Sequence, residues 1–403
     1  MTMKIKSIQV LLLAGVLPAA LLAQGGKISR QGRDWVEEIS GTLPASPRLK
    51  VETPGGVVEI RGGDGAGISY RAVKHTHARS EEEAHRRFAQ MRLEARRSGD
   101  QADLSLEGSE RHIDVGADFF VTVPKSLAHA VAETAGGNVL IENIAGEAIV
   151  ATAGGNVRID QIGGGAKVET AGGLIDIGTV RGRLNAQGSG ARITVKDAQG
   201  EAVLESSGGD ISVENYARTM RAETAGGNVD VKHGGGDIRV GTAGGSIRLG
   251  TIEGTVFAET NGGGIEVGSA RAIIRAESTA GIIRLGRIAG PVRAETVNGN
   301  IFATVVADRA SWGESLIGTG MGDVVVYLPA NLAVTIQAIV ESAGSRGAIR
   351  SDFPMVFQSS GSRGHGEVSG AAQINGGGPA LKIRTTMGRI EIIKVSAADA
   401  SIH

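Results

Sequence analysis

Between about Ala130 and Phe302 the chain alternates short apolar runs with glycine-rich breaks. Aligned at the glycine pair, the copies read AETAGGNVLI from Ala132, VATAGGNVRI from Val150, VETAGGLIDI from Val168 and AQGSGARITV from Ala186. They continue as LESSGGDISV from Leu204, AETAGGNVDV from Ala222, VGTAGGSIRL from Val240, AETNGGGIEV from Ala258, AESTAGIIRL from Ala276 and AETVNGNIFA from Ala294. Each start lies 18 residues after the last, with no insertion or deletion. Ten copies in strict register are the signature of a repeat architecture.

Within a copy the apolar positions are two apart, the period of a half-buried strand. One strand offers Ala148, Val150 and Thr152, then Ala166, Val168 and Thr170, and later Ile238, Val240, Thr242 and Val256, Ala258, Thr260. The other, nine residues on, offers Val157 and Ile159, Ile175 and Ile177, Val229 and Val231, Ile265 and Val267. The Gly-Gly pair between them predicts a tight turn with positive φ. So short a unit cannot bury its own apolar face, and stacking on its neighbours buries it. The expected fold class is therefore all-β: a parallel β-helix or solenoid with 18-residue rungs, rising about 4.8 Å each, so that ten rungs run to about 48 Å. Stacked threonines (Thr134, Thr152, Thr170; Thr224, Thr242, Thr260) form a ladder of small β-branched residues whose hydroxyls are placed to bond their neighbours. A hexapeptide helix would want an aliphatic residue every six, and Asn156 breaks that pattern. A calcium-binding roll would need repeated G-G-x-G-x-D turns, whereas Asp210 and Asp237 are isolated.

The flanks depart from the period. Residues Arg48 to Lys74 read as further strand, with VETPGGVVEI from Val51 as an early copy. Ser80 with Glu83 forms a capping box, and Ala84, Phe88, Met91 and Ala95 fall three or four apart. These predict one helix over 80–97, ended by Gly99 and capping the array, whose free sheet edges would otherwise invite aggregation. After Thr304 the period slips and Trp312 falls in a looser segment. TGMGDVVVYLP resumes it from Thr319, and TTMGRIEIIKV from Thr385 is a last degenerate copy. Ser342 to Gly378, rich in Gly and Ser, reads as a loop or irregular cap with a turn at Asp352-Phe353-Pro354. The organisation expected is a signal peptide over 1–23, a strand-and-helix capping region over 24–130, the solenoid over 131–304 and a C-terminal cap over 305–403.

Composition narrows the compartment. Lys4 and Lys6 precede an apolar run from Ile8 to Leu22 broken by Gly15 and Pro18, and Ala23 before Gln24 suits cleavage. The run is shorter than the roughly 20 residues a spanning helix needs, and no later segment is apolar enough to span. An exported chain free in the periplasm, at the outer-membrane surface or outside the cell is expected. There is no cysteine, hence no disulfide and no lipidated cysteine. Net charge is −1 with no basic tract, so nucleic acid is not an expected partner.

DFFVTVPKSL before the array, the TAGGNV copies, and GDVVVYLP followed by GRIEIIKV at the end resemble a bacterial family of exported β-strand-repeat proteins of unknown function that carry the label "putative adhesin". That resemblance implies a β-helix-like fold and an envelope or surface location. It supplies no catalytic residues.

Candidate chemistry is sparse. An outward column of Glu133, Glu169, Glu205, Glu223, Glu259, Glu277 and Glu295 is relieved by Lys167, Arg221, Arg275 and Arg293 two residues earlier. It reads either as a solvated, charge-balanced face or as a repetitive binding surface. As the candidate interaction surface we take Glu169, Glu205, Arg221, Glu223, Glu259, Arg275, Glu277, Arg293 and Glu295. The partner expected is an envelope protein or a polysaccharide. His75 and His77, with His85 or His112 nearby, have a zinc-like spacing but no assignable third ligand. Asp114 with Asp118, and Asp308 with Glu314, are the nearest approach to the acid pair of a glycosidase, and aromatic sugar platforms are scarce. No phosphate loop is present, since the glycine turns join strand to strand. No cofactor, metal or catalytic residue is assigned. The leading expectation is a non-enzymatic, adhesin-like solenoid. The alternatives are an envelope-stress or regulatory module acting through its caps, and a carbohydrate-active enzyme.

Overall fold

The computed structural model describes residues 26–108, 115–307, 311–343, 348–362 and 365–395. The signal-like segment, His112, Asp114 and Asp308 lie outside them. The described residues form 36 strands and one helix. Two sheets stack face to face, and the chain passes from one to the other twice per rung. Glu147–Thr152 lies in the first sheet and Val157–Ile162 in the second. Register is strict and parallel: Ala148, Val150 and Thr152 sit on Ala166, Val168 and Thr170, while Val157 and Ile159 sit on Ile175 and Ile177. The solenoid expected from the period is the fold observed.

Inward residues from both sheets meet in one continuous aliphatic core running from Leu43 to Ile392. The second-sheet strands contribute a third inward residue that alternation by twos misses. Ile144, Ile162, Val180 and Ile252 are all buried although they stand three residues after the preceding inward position. In the first rungs the backbone makes this step at Asn143 and Gln161, both left-handed (φ 61° and 54°) and both skipped in the pairing.

The turn between the strands differs from expectation. Gly136, Gly137, Gly154 and Gly155 are not in the left-handed region, and of the array's second glycines Gly173 is the one clearly there, at φ 91°. The requirement is steric instead. A Cβ on Gly155 would lie 1.8 Å from the carbonyl oxygen of Gly137, and one on Gly227 would lie 2.2 Å from that of Gly209. A Cβ on Gly154 would meet nothing within 4 Å. Only the second glycine of each pair is thus demanded, because successive turns stack backbone on backbone.

The threonine ladder is also corrected. Its hydroxyls do not bond one another. Thr242 Oγ1 donates to the carbonyl of Gly227 in the preceding turn (2.8 Å) and accepts the N–H of Gly245 in its own (3.1 Å). Thr224, Thr260 and Ser206 repeat both bonds. Each of these four hydroxyls thus closes one turn and ties it to the one before, whereas Thr170 donates to the carbonyl of Gly172 within its own turn.

The ends depart from sequence order. Arg48–Thr53 and Val58–Gly63 form the rung beneath His129–Thr134 and Val139–Ile144, as the early copy predicted. Gln101–Gly108 and Val115–Pro124 lie parallel on that rung, and antiparallel strands extend both sheets beyond them. Ile68–Thr76 pairs with Val115–Pro124 and with Asp34–Leu43, and Met91–Ser98 forms a hairpin with Gln101–Gly108. At the other end the Ser315–Met321 strand lies on Val292–Asn298 with Ile317 opposite Ala294, which is the period slip. Ala380–Met387 and Ile390–Val395 then stack on this rung as the predicted last copy. Val334–Ala343 and Ile349–Ser351, earlier in sequence, lie outside them.

Two expectations fail here. The helix is Glu81–Gln90, not 80–97. Ser80 caps it, with the Glu83 N–H 3.2 Å from Oγ, and Ala84 and Phe88 are buried. Met91 begins a strand instead, because Met91, Leu93 and Ala95 also satisfy a period of two and Gly99 (φ 57°) turns the hairpin back. The stretch from Ser342 to Gly378 is not a loop: Val356–Ser362 and His365–Ile374 form an antiparallel hairpin on Val334–Ala343. Backbone pairing at a sheet end needs little apolar side chain, so the Gly/Ser content misleads. The turn at Asp352–Pro354 stands, with the Phe353 N–H bonded to Ser351 Oγ.

Candidate interaction surface

Alternation in the first sheet turns residues such as 221, 223, 275 and 277 outward on every rung. Stacking therefore makes columns. The carboxylate column runs Glu52, Glu133, Glu169, Glu205, Glu223, Glu259, Glu277 and Glu295, interrupted by Ala151, Gln187 and Gly241. Cations two residues earlier pair within the same strand: Lys167 with Glu169 (2.7 Å), Arg221 with Glu223 (2.7 Å), Arg275 with Glu277 (2.6 Å) and Arg293 with Glu295 (2.6 Å). Lys50 bridges Glu52 and Glu133, and Arg384 of the last copy reaches Glu295. The hydrogen bond that the Arg221 guanidinium donates to Glu223 holds it above its ordinary value, and the bond to Glu277 does the same for Arg275. Both stay charged at any physiological pH. Glu205 accepts from Gln187 (3.3 Å).

Beside this column the Thr-Ala-Gly-Gly turns carry small residues, so the charged side chains stand as one wall of a lengthwise groove. One stretch, about 1290 Å³, runs from Thr53 to Ala225 and is walled by Glu52, Glu133, Glu169, Glu205, Arg221 and Glu223. A second, about 530 Å³, continues the same face with Glu259, Arg275, Glu277, Arg293, Glu295 and Arg384. All nine residues singled out from the sequence line one stretch or the other. Between them Gly241 leaves a gap. Arg239, without a carboxylate in its own strand, stacks on Phe257 at 5.4 Å, and Arg275 covers that ring from 5.2 Å.

The second sheet carries a different charge pattern, which the repeat reading missed. Its pairs run between rungs, 18 residues apart: Arg158 with Asp176, Lys232 with Glu214, and Arg248 with both Asp230 and Glu266. Opposite charges at a separation of 18 were the signal. Also missed was a side-chain ladder at the turn. Asn138 Oδ1 accepts the N–H of Asn156, Asn156 that of Leu174, Asp210 that of Asn228 and Asn228 that of Ser246, each at 2.8–2.9 Å. Asp210 and Asp237 thus serve the next rung's backbone.

The other candidates that fall among the described residues do not assemble. His75 faces Asp118 at 3.7 Å, His77 faces Asp34 at 3.3 Å, and His85 is exposed on the helix. Among the described residues no group of three His, Cys, Asp or Glu is placed to hold a metal. Asp118 Oδ1 accepts the backbone N–H of Val57 at 2.7 Å, which gives it a structural task. No helix among the described residues is long and apolar enough to cross a membrane.

No protein-family model matches the chain, and no curated protein matches it in sequence. Solved structures match it in three dimensions rather than in sequence. A "putative cell adhesion protein" from Clostridium sporogenes is 9% identical, with 89% of this chain and 100% of the other covered, at a TM-score of 0.18. A "putative adhesin" from Bacteroides fragilis is 15% identical, with 67% of this chain and 96% of the other covered, at a TM-score of 0.30. At these scores neither likeness carries an argument about this chain.

Proposed function

We propose that this protein is an exported, adhesin-like solenoid that binds an extended envelope or extracellular polysaccharide along the grooved, charged face of its first sheet. One observation carries the reading: the Glu/Arg column and the small-residue turns together make a groove that follows the solenoid axis. Its larger stretch, about 1290 Å³, exceeds the roughly 300–1,000 Å³ of an ordinary small-molecule pocket. A groove with a repeated wall suits a ligand that itself repeats. Paired charges on several rungs, Lys167 with Glu169, Arg221 with Glu223, Arg275 with Glu277 and Arg293 with Glu295, offer hydroxyl groups both donors and acceptors without a strong net field. Affinity then comes from many weak contacts held in register, so no single residue dominates. The N-terminal basic and apolar segment supports export.

A glycan array probed with the mature chain tests this. Replacing Glu205, Arg221, Glu223, Arg275 and Glu277 together by glutamine is expected to lower binding of the captured glycan at least tenfold. Unchanged binding by this variant would move the site off this face, and turnover of any glycan would overturn the non-enzymatic reading.

A further inference from the structure

We infer that the C-terminal end of the first sheet is a docking edge for a second copy of the chain, giving a closed end-to-end dimer. Val356–Ser362 pairs with His365–Ile374 and, among the described residues, with no other strand. Among the described residues nothing pairs with its outer side, and such an edge is the template on which another strand adds. The sequence there is VFQSSGS, without one charge or proline. Val356 is 70% exposed and Phe357 51%. Phe357 lies on the side of the sheet that faces the core, opposite Gly370, whose own partner is the buried Ala338. The second sheet ends earlier, at Ile349–Ser351, which pairs with Ile390–Val395. The outermost hairpin thus buries Ala372 and Ile374 in the core but carries, on its outer strand, both an edge with no partner among the described residues and an inner-face Phe357 left half exposed.

The opposite end is built differently. The outermost strand of the first sheet there is Met91–Ser98, which carries Arg92, Glu94, Arg96 and Arg97. Charges on an edge oppose strand addition. The second sheet ends there on Lys27–Gln31, which carries Lys27 and Arg30. One end of the solenoid is guarded and the other is not. A head-to-tail contact would need the guarded edge and would propagate into a filament. The free edge meeting its own copy needs only itself. Two uncharged strands can run antiparallel about a two-fold axis with no like charges opposed, and the contact then closes at two copies. Pairing also brings the two Phe357 side chains together at the sheet ends. This inference does not rest on the groove reading, since the edge lies outside the groove.

The chain has no cysteine, so one introduced thiol reports one position. In the mature chain, Ser359→Cys treated with a short bis-maleimide is expected to give a covalent dimer, and Arg96→Cys at the guarded edge is expected to give none. Sedimentation of the unsubstituted chain at micromolar concentration should show a dimer. Val356→Lys with Phe357→Lys should raise its dissociation constant at least tenfold while leaving the far-ultraviolet circular dichroism unchanged. A monomer throughout the micromolar range would overturn the proposal and leave the edge to the chain's own C-terminal residues or to another protein. Equal crosslinking through Arg96→Cys, or a ladder of species beyond the dimer, would overturn it in favour of head-to-tail filaments.

Discussion

At Gly227 the space that a side chain would need is already filled by the carbonyl oxygen of Gly209, 2.2 Å from where Cβ would stand. Gly227→Ala is therefore expected to force the two turns apart and to cost about 1–3 kcal/mol, as overpacking does. Gly154→Ala, with open space at its Cβ, is expected to leave the denaturation midpoint unchanged. The pair separates stacking from any general need for glycine. The threonine column makes a second residue-scale case. Thr242→Val keeps the shape but strands the buried N–H of Gly245 and the carbonyl of Gly227, a loss of about 1–3 kcal/mol. Thr242→Ser keeps both bonds and should recover most of it, as Ser206 and Ser278 show the array tolerates. Chemical denaturation of the four variants measures all of this.

The helix is the element that depends least on the repeat. Its docking rests on Ala84 and Phe88, and on Lys74, whose buried Nζ contacts Glu37 at 2.9 Å and the carbonyl of Phe88 at 3.4 Å. Lys74→Met leaves the Glu37 carboxylate unpaired among buried groups. Breaking such a pair costs about 3–5 kcal/mol, so limited proteolysis within 81–98 is expected to become fast while the array stays resistant. At the helix start, the Arg79 N–H and the Arg87 side chain hold the Glu83 carboxyl below its ordinary value of 4.5. The sign follows: a depressed carboxylate stabilises above that ordinary value, and its contribution fades as pH falls through the lower folded one. The stability difference between the native chain and Glu83→Gln is thus expected to be full at neutral pH and to vanish in acid, as thermal midpoints recorded across that range would show.

For the molecule as a whole, the charges on the first sheet and the core beneath it have separable roles. Exposed ion pairs contribute about 0–1 kcal/mol each, whereas the aliphatic core is continuous through all rungs. The glutamine variant expected to weaken groove binding is accordingly expected to unfold at nearly the native midpoint. A large drop would mean the column is structural and would remove the reason for reading it as a binding face. Coupling between rungs is nearest-neighbour, so damage at Gly227 should weaken the middle of the array before either end.

The period, the inward stripe and the outward Glu/Arg column were legible in the sequence because each repeats every 18 residues, and repetition converts a local pattern into a stacked one. Which charged side chains face out could also be named, since alternation fixes that, but the groove they wall with the turns could not. What the sequence did not give was anything decided by one rung meeting another or by strands far apart in the chain. The steric demand on the second glycine, the hydroxyl bonded to the previous turn and the Asn/Asp ladder all depend on the turn-on-turn distance, which no single copy encodes. The end of the helix at Gln90 was decided by pairing, because Met91, Leu93 and Ala95 fit a strand as well as a helix until Gln101–Gly108 lies beside them. The C-terminal hairpin, too, was set by backbone pairing to Val334–Ala343 rather than by its own apolar content. Only the tertiary structure leaves its outer edge without a partner strand among the described residues, because which strand ends up outermost depends on how distant segments stack and not on the local sequence.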